Sequence, residues 1–297
     1  MTSLAATLSG EIVAAYGRHY LVESRAGEFL RAVPRGKKSV VACGDRVLVA
    51  RTGQGEGVIE AHDPRSTLFL RAAPHRRKPI AANATRLAVI TAGEPSLADE
   101  LVCRALIAAE AQSMQCLLVL NKTDLAAPTA IARDRLAPFV RAGYAVLELS
   151  AKRDVAALRE RLQGGTTVLI GQSGMGKSTI VNALVPAADA ATREISRFLD
   201  SGRHTTTATR LYRLDAASAI VDSPGVQEFG LAHLAAAEIE RAFPELRPLL
   251  GACRFNDCRH RSEPGCAVQA GVADGRVHPR RLELLHRILD AERAAAR

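Results

Sequence analysis

The sequence contains no uninterrupted apolar run that approaches the roughly 18 residues needed for a membrane-spanning helix. A secretory leader carries Lys or Arg before its apolar stretch. Residues 1–17 contain no Lys or Arg ahead of their apolar positions. Internal repeats are absent, and 47% hydrophobic and 24% charged residues are ordinary globular values, which excludes a fibrous or disordered chain. These observations predict a cytoplasmic protein without a membrane partner.

The chain is long for one hydrophobic core, because single cores rarely grow beyond about 250 to 300 residues and this chain has 297. We therefore expect two or three domains. Five short β-like runs separated by glycines occupy the first part and suggest a small barrel: residues 10–15, 19–23, 29–33, 45–50 and 57–61. From about residue 81, apolar strands alternate with helical stretches, which indicates a mostly parallel sheet with helices on both faces.

Positive charge is unevenly spread in this chain of net charge +9. Residues 65–86 contain no carboxylate, but they contain Arg65, Arg71, Arg76, Arg77, Lys78 and Arg86. Such a stretch favours a polyanionic partner such as nucleic acid. A solvated linker is an equally good interpretation of these residues alone.

The strongest motif fits G-x-x-x-x-G-K-[ST] and lies between an apolar strand and a helical run, which is the context of a phosphate-binding loop. Its residues are Gly171, Gln172, Ser173, Gly174, Met175, Gly176, Lys177 and Ser178, followed by Thr179. The glycines let backbone N–H groups converge on phosphates. We predict that Lys177 neutralises the β and γ oxygens in a catalytic role and that the Ser178 hydroxyl ligates Mg2+.

Two further loops predict that the base is guanine. Asn121-Lys122-Thr123-Asp124 follows an apolar strand and fits N-K-x-D. The Asp124 carboxylate can accept from N1–H and the exocyclic amine of guanine, and adenine offers no such pair of donors. Ser150-Ala151-Lys152 fits the companion loop whose backbone N–H binds the guanine O6, although this tripeptide counts only because of its position after a strand.

Asp222-Ser223-Pro224-Gly225 closes another apolar strand and fits D-x-x-G. Asp222 is predicted to hold Mg2+ through water, and the Gly225 N–H to sense the γ-phosphate. The polar stretch before it contains Thr205, Thr206 and Thr207, one of which is expected to reach the same Mg2+, and we assign Thr206 to the site. N-K-x-D precedes the phosphate loop, the reverse of the usual order, so the motifs are circularly permuted. Circular permutation changes only where the chain begins and ends. A site assembled from loops at one edge of a sheet keeps its arrangement wherever the chain is cut.

Cysteines crowd near the C-terminus in the pattern Cys253-x4-Cys258-x-His260-x5-Cys266. Three thiolates and an imidazole form a closed tetrahedral set that suits one structural Zn2+ per chain. Reduced buried thiols are the alternative, but the segment is too polar for a core. Arginines in and after this segment suit a phosphate backbone: Arg276, Arg280, Arg281 and Arg287.

The permuted motifs, residues 202–207, Phe243-Pro244-Glu245 and residues 253–266 together resemble the RsgA (YjeQ) family of ribosome small subunit-dependent GTPases, over nearly the whole chain. The resemblance implies an RNA-binding OB-fold barrel at residues 1–70, a permuted GTPase domain at 71–231 and a helical zinc domain at 232–297. It implies a monomer that binds GTP and GDP and acts on the small ribosomal subunit and its rRNA late in assembly. Residues 34–38 resemble a basic barrel loop that faces rRNA.

The resemblance also suggests that His204 orients the attacking water, because Val226 stands where many GTPases have a catalytic glutamine. A packing or rRNA-contacting role for His204 is the alternative. Two other function classes stay open. One is a GTP-dependent RNA-binding checkpoint in which occupancy matters and turnover does not, and the other is an ATP-using enzyme, which Asp124 opposes.

Overall fold

The computed structural model describes residues 7–36, 40–73, 76–186, 188, 208–224 and 229–295. Its N-terminal part is a barrel of five strands. These are β1 (Thr7–Tyr16), β2 (His19–Ser24), β3 (Phe29–Pro34), β4 (Arg46–Gly53) and β5 (Glu56–His62). They are ordered β1-β2-β3-β5-β4, and β4 pairs back with β1 to close the barrel. The predicted barrel is confirmed.

Alternating burial explains why these residues form barrel strands. In β4, Val47 and Val49 are buried, whereas Arg46 and Leu48 between and beside them are exposed, which is the period of two that a half-buried strand requires. Gly57 lies where β5 crosses β4 closely, and a Cβ atom there would be 2.4 Å from Val49 Cγ1. A side chain at position 57 would therefore displace the Val49 side chain and press on the Ala50 backbone oxygen, which would lie 3.0 Å from the added Cβ atom.

The central part is an α/β unit built on six strands. These are β8 (Arg86–Ala92), β9 (Gln115–Asn121), β10 (Ala145–Glu148), β11 (Thr166–Gly171), β12 (Thr209–Arg213) and β13 (Ala219–Asp222). Their order is β10-β9-β8-β11-β13-β12, parallel except for the antiparallel β12. The helices here are α1 (Asp99–Glu110), α2 (Ala126–Arg141), α3 (Ala156–Arg161) and α4 (Lys177–Leu184).

This sheet is covered on both faces, as the sequence predicts. In β8, Leu87 and Val89 belong to one buried cluster, which α1 and α2 also join, whereas Ala88 belongs to a second cluster with residues of α3 and α4. Residues in β8 are therefore apolar at almost every position rather than at every second one, which is typical of a parallel strand buried on both faces.

The basic stretch of residues 65–86 is not a linker. It forms a hairpin of β6 (Leu68–Ala73) and β7 (Arg76–Ala82). Arg65 forms an ion pair with the buried Asp45 at 2.7 Å, and the guanidinium of Arg86 donates to the backbone oxygen of Gln163 at 2.7 Å. These two cations are therefore bonded within the protein, and the linker interpretation is wrong.

The C-terminal part contains α5 (Ala236–Arg241), α6 (Ala267–Ala273) and α7 (Pro279–Ala295). Arg281 of α7 is 1% exposed; its guanidinium donates to Glu245 at 2.6 Å and lies 4.4 Å from the centroid of the Phe243 ring. The other arginines assigned to phosphates form ion pairs: Arg276 with Asp274, Arg280 with Asp99 and Arg287 with Glu100. The phosphate role assigned to Arg281 is therefore wrong, because its charge is used to join α7 to the rest of the fold.

Within the described ranges, no helix is both long enough and apolar enough to cross a membrane.

Candidate functional site

The phosphate-loop motif lies between β11, which ends at Gly171, and α4, which begins at Lys177. Gly174 and Gly176 have φ angles of +82° and +86°, in the left-handed region that side chains disfavour. Space is also limited, since a Cβ atom on Gly176 would lie 2.4 Å from the Asn121 amide nitrogen. Glycine at position 176 is thus required both by the turn and by the neighbouring loop.

Lys177 and Asp222 meet directly beside this loop. The Lys177 ammonium forms an ion pair with the Asp222 carboxylate, and these side chains are only 10% and 24% exposed. Asp222 is placed there because β13 runs parallel to β11, and in this pairing Asp222 lies opposite Leu169. The Lys177 ammonium suits phosphate, and the Asp222 carboxylate suits Mg2+. These two groups are therefore adjacent at the carboxyl edge of the sheet.

Other predicted phosphate-loop residues differ in exposure. Ser173, Ser178 and Thr179 are exposed at the surface of the loop and the first turn of α4, whereas Met175 is buried. The Gln172 side-chain oxygen is buried without a hydrogen-bond partner among the described residues. Ser178 and Asp222 thus supply accessible oxygen atoms of the kind that Mg2+ prefers, and the residues present fit that ion.

Asn121 connects three of the predicted loops. Its side-chain nitrogen donates to the backbone oxygen of Met175 at 3.0 Å, and its side-chain oxygen accepts from the Ala151 N–H at 2.9 Å. The residue is 2% exposed. A single amide therefore holds the phosphate loop, the N-K-x-D loop and the Ser150-Ala151-Lys152 loop in one arrangement.

Asp124 is exposed at the open side of the same arrangement. The Ser150 hydroxyl donates to Asp124 Oδ1 at 2.6 Å, and this hydrogen bond holds the pKa of Asp124 below its usual value. The carboxylate is therefore ionised at neutral pH, which is the state that accepts two hydrogen bonds from guanine. Lys152 is exposed beside it.

One loop of this site was missed by sequence reasoning. Residues 93–95 follow β8, and the backbone oxygen of Glu94 accepts from the Lys122 ammonium at 2.8 Å. Pro95 lies against the phosphate loop, since a Cβ atom on Gly174 would be 3.2 Å from its Cδ. The signal was the turn-forming Gly-Glu-Pro directly after an apolar strand.

Gly225, Thr205, Thr206, Thr207 and His204 lie outside the described residues, so their roles stay predictions.

Cys253, Cys258, His260 and Cys266 converge at the C-terminal end, with their ligand atoms all within 4.8 Å of one another. The sulfurs of Cys253 and Cys266 are 3.9 Å apart, and His260 Nδ1 lies 3.5 Å and 3.4 Å from them. A tetrahedral zinc ion with bonds of about 2.3 Å to sulfur and about 2.0 Å to nitrogen separates two sulfurs by roughly 3.8 Å, and a sulfur from a nitrogen by roughly 3.5 Å. The residues present fit such an ion.

Backbone contacts hold the ligands of this cluster in place. The His260 N–H donates to Cys258 Sγ and the Gln269 N–H to Cys266 Sγ, both at 3.4 Å. The Gln269 side-chain amide donates to the His260 backbone oxygen at 2.7 Å, which fixes the turn where His260 has a φ of +60°. The cluster is a built site rather than a chance meeting of cysteines.

Comparison with known proteins gives a consistent result over the whole chain. A family model described as RsgA GTPase matches residues 62–232. The small ribosomal subunit biogenesis GTPase RsgA of Burkholderia pseudomallei (strain K96243) is 52% identical over 277 residues, covering 92% of this chain and 88% of the relative. The protein of the same name from Nitrosospira multiformis is 50% identical over 282 residues, covering 95% and 90%.

Solved structures agree with this fold. YjeQ from Thermotoga maritima is 26% identical and matches with a TM-score of 0.71, covering 96% of this chain and 99% of that chain. YloQ, described as a circularly permuted GTPase, matches with a TM-score of 0.67 at 24% identity and covers 98% of both chains. The second likeness bears on the fold alone.

Proposed function

Because the chain belongs to the RsgA GTPase family, we propose that this GTP-hydrolysing enzyme acts in late assembly of the small ribosomal subunit and that the subunit stimulates its turnover. The geometric observation that carries the chemistry is the bridge that Asn121 makes between the phosphate loop and the two guanine loops. The names of the relatives, at 50% identity and above, support the small subunit as partner.

Each described residue has a defined role in this proposal. Asp124 and a backbone N–H of the Ser150-Ala151-Lys152 loop select guanine, Lys122 supports the N-K-x-D loop, and Lys177 holds the phosphates. Ser178 would ligate Mg2+ directly, Asp222 would hold it through water, Thr206 would complete its coordination, and the Gly225 N–H would contact the γ-phosphate. The bound ion neutralises charge on the phosphate oxygens. Hydrolysis cleaves the bond between the β- and γ-phosphates, and a water oxygen becomes part of the released phosphate.

The other two parts of the chain serve binding in this proposal. The barrel at residues 1–70 is an RNA-binding OB-fold that contacts rRNA, and residues 232–297 are a domain held by one structural zinc ion at Cys253, Cys258, His260 and Cys266. The four protein ligands close the coordination shell, so this ion has no catalytic position. The protein acts as a monomer in the cytoplasm.

The proposal is tested by phosphate release with and without purified small subunits. We expect slow multiple turnover by the protein alone and an increase of at least about tenfold at saturating small subunits, with large subunits as the control. Binding without any multiple turnover would favour the non-catalytic checkpoint, and stimulation by large subunits to the same degree would contradict the assigned partner.

Guanine selectivity is expected to depend on Asp124. Asp124→Asn replaces a carboxylate, which accepts two hydrogen bonds from guanine, by an amide. Hydrogen bonds to a charged group contribute about 1.5–3 kcal/mol each. We expect GTP affinity to fall about a hundredfold or more, and preference to move toward xanthosine triphosphate, whose O2 accepts from the new amide. Competition binding measures both, and Asp134→Asn, an exposed carboxylate on α2, is the matched control. Unchanged GTP affinity would remove Asp124 from the base site.

A further inference from the structure

The barrel and the GTPase sheet share a strand pairing. Strand β1 of the barrel pairs with β12, with Ala14 opposite Arg210 and Ala15 opposite Thr209. This pairing joins the barrel and the α/β unit into one sheet of eleven strands among the described residues. The barrel is therefore connected to the GTPase part by backbone hydrogen bonding as well as by the chain itself.

The pairing leads directly to the nucleotide site. Arg210 lies opposite Ala14 on one side and opposite Asp222 of β13 on the other, and Asp222 in turn pairs with Leu169 of β11. One row of cross-strand partners thus runs from the barrel to the strand that carries the phosphate loop. Asp222 is the residue whose carboxylate contacts Lys177. A displacement of β12 relative to the sheet would move the backbone of Asp222.

Side chains of the barrel hold this end of β12. The Arg210 guanidinium carbon lies 5.3 Å from the centroid of the Tyr16 ring, and Arg210 is 9% exposed. A desolvated cation–π contact of this kind contributes about 2 kcal/mol. The Cys43 thiol donates to the Thr209 backbone oxygen at 3.3 Å. Burial raises the pKa of Cys43, which keeps the thiol protonated for this bond.

A more exposed contact connects β12 with both β1 and β2 of the barrel. Arg213 donates to Glu11 at 2.7 Å and to Glu23 at 2.9 Å. The Arg213 side chain is 49% exposed, and exposed ion pairs contribute little. The buried contacts of Tyr16 and Cys43 therefore determine how firmly the barrel holds β12.

We propose that the β1–β12 joint, formed by Ala14, Ala15, Tyr16, Cys43, Thr209 and Arg210, couples RNA binding by the barrel to GTP binding, with Tyr16 as its positioning residue. The inference rests on the proposed function, because it takes the barrel's ligand to be rRNA. A ligand that favours one orientation of the barrel also favours one placement of β12 and hence of Asp222. Coupling of this kind is reciprocal, so rRNA changes the affinity for GTP by the same factor as GTP changes the affinity for rRNA.

The test compares the affinity of a non-hydrolysable GTP analogue with and without small subunits, for wild type, Tyr16→Leu and Tyr16→Phe. We expect small subunits to raise the analogue's affinity at least about fivefold in wild type, since coupling factors of about 5- to 150-fold are typical. Tyr16→Leu, which removes the ring, should bring this ratio close to 1 while affinity without subunits stays within about twofold. Tyr16→Phe keeps the ring and should keep the ratio. Arg51→Gln breaks only an exposed barrel pair with Glu28 and is the control.

The failures are distinguishable. A wild-type protein that does not bind small subunits overturns the proposed function. A Tyr16→Leu protein that keeps the wild-type affinity ratio overturns only the assignment of the coupling to the β1–β12 joint. Amide hydrogen exchange in the free protein gives a second readout. Exchange at residues 14–16 should differ between the GTP-analogue and GDP forms of wild type, and an equal exchange in both forms contradicts the proposal. If Tyr16→Leu does not fold, Cys43→Ala removes a single contact to β12 and should lower the same ratio.

Discussion

Replacing Cys258 by serine is expected to remove the zinc and to unfold residues 251–266 while the protein still binds GTP. Within these residues only His260 and Cys266 are buried, and both are ligands. The segment therefore has no apolar core that could hold it without the metal. Structural zinc contributes about 10–16 kcal/mol in zinc-finger peptides, which is as much as the entire stability of a typical domain.

The unfolding should stay local. Helix α7 follows the zinc segment, but it is held by the buried Arg281, which contacts Glu245 and the rings of Phe139, Tyr144 and Phe243. None of these contacts involves a zinc ligand. The nucleotide site, formed at the ends of β9, β10, β11 and β13, is likewise built without the cluster. GTP affinity should therefore change by less than about twofold, and binding to small subunits should be lost.

Three measurements check this prediction. Elemental analysis should find about one zinc per wild-type chain and almost none in Cys258→Ser. Hydrogen exchange should rise in residues 251–266 and not in α7. Cys116→Ser, on β9 outside the cluster, is the matched control and should keep its zinc. A native protein that contains no metal, or a variant that keeps full affinity for small subunits, would exclude the structural role.

Sequence reasoning found the elements whose signal is local. The glycines before Lys177, the apolar strand before Asn121 and the spacing of the cysteines are patterns within a few residues, and the fold class, the permuted GTPase and the family are confirmed. The hairpin of β6 and β7 was missed because Arg76, Arg77, Lys78 and Pro79 are atypical of a strand. Phe69 of this hairpin packs against Phe229, a residue distant in the sequence, with the ring centroids 5.5 Å apart, and this contact stabilises it.

Long-range placement was the part that the sequence could not give. Arg281 looks like a surface cation, and only the tertiary structure brings Glu245 and Phe243 around it. The β1–β12 pairing connects residues almost two hundred positions apart, and no pattern in either strand specifies the other. Residue roles at the nucleotide site remain predictions, although Asn121 and Asp222 lie where those roles require them.

His204→Ala is expected to bind GTP and small subunits like wild type and to lose most of the stimulated turnover. Val226 occupies the place of the water-orienting glutamine of many GTPases, and its side chain has no polar group. Gln227 is one position further on, and a shift of one residue normally points a side chain elsewhere. These residues lie outside the described ranges, so the prediction rests on sequence and on the family resemblance.

A neutral imidazole has the required chemistry, because it accepts a proton or a hydrogen bond from water near pH 7. General-base assistance contributes about 10²–10⁴-fold to a rate, so His204→Ala should lower the stimulated turnover by a factor in that range. The loss should appear in kcat and not in the affinity for GTP, because His204 acts on the water and not on the nucleotide.

Single-turnover hydrolysis at saturating small subunits separates this role from binding. His62→Ala, which removes an exposed imidazole of the barrel, is the control and should leave the rate at saturation unchanged. Gln227→Ala should also retain it if His204 orients the water. Full stimulated turnover in His204→Ala together with its loss in Gln227→Ala would transfer the role to Gln227. Full stimulated turnover in both variants would exclude the side chains of His204 and Gln227. The positioning of the water would then belong to the backbone or to the ribosome.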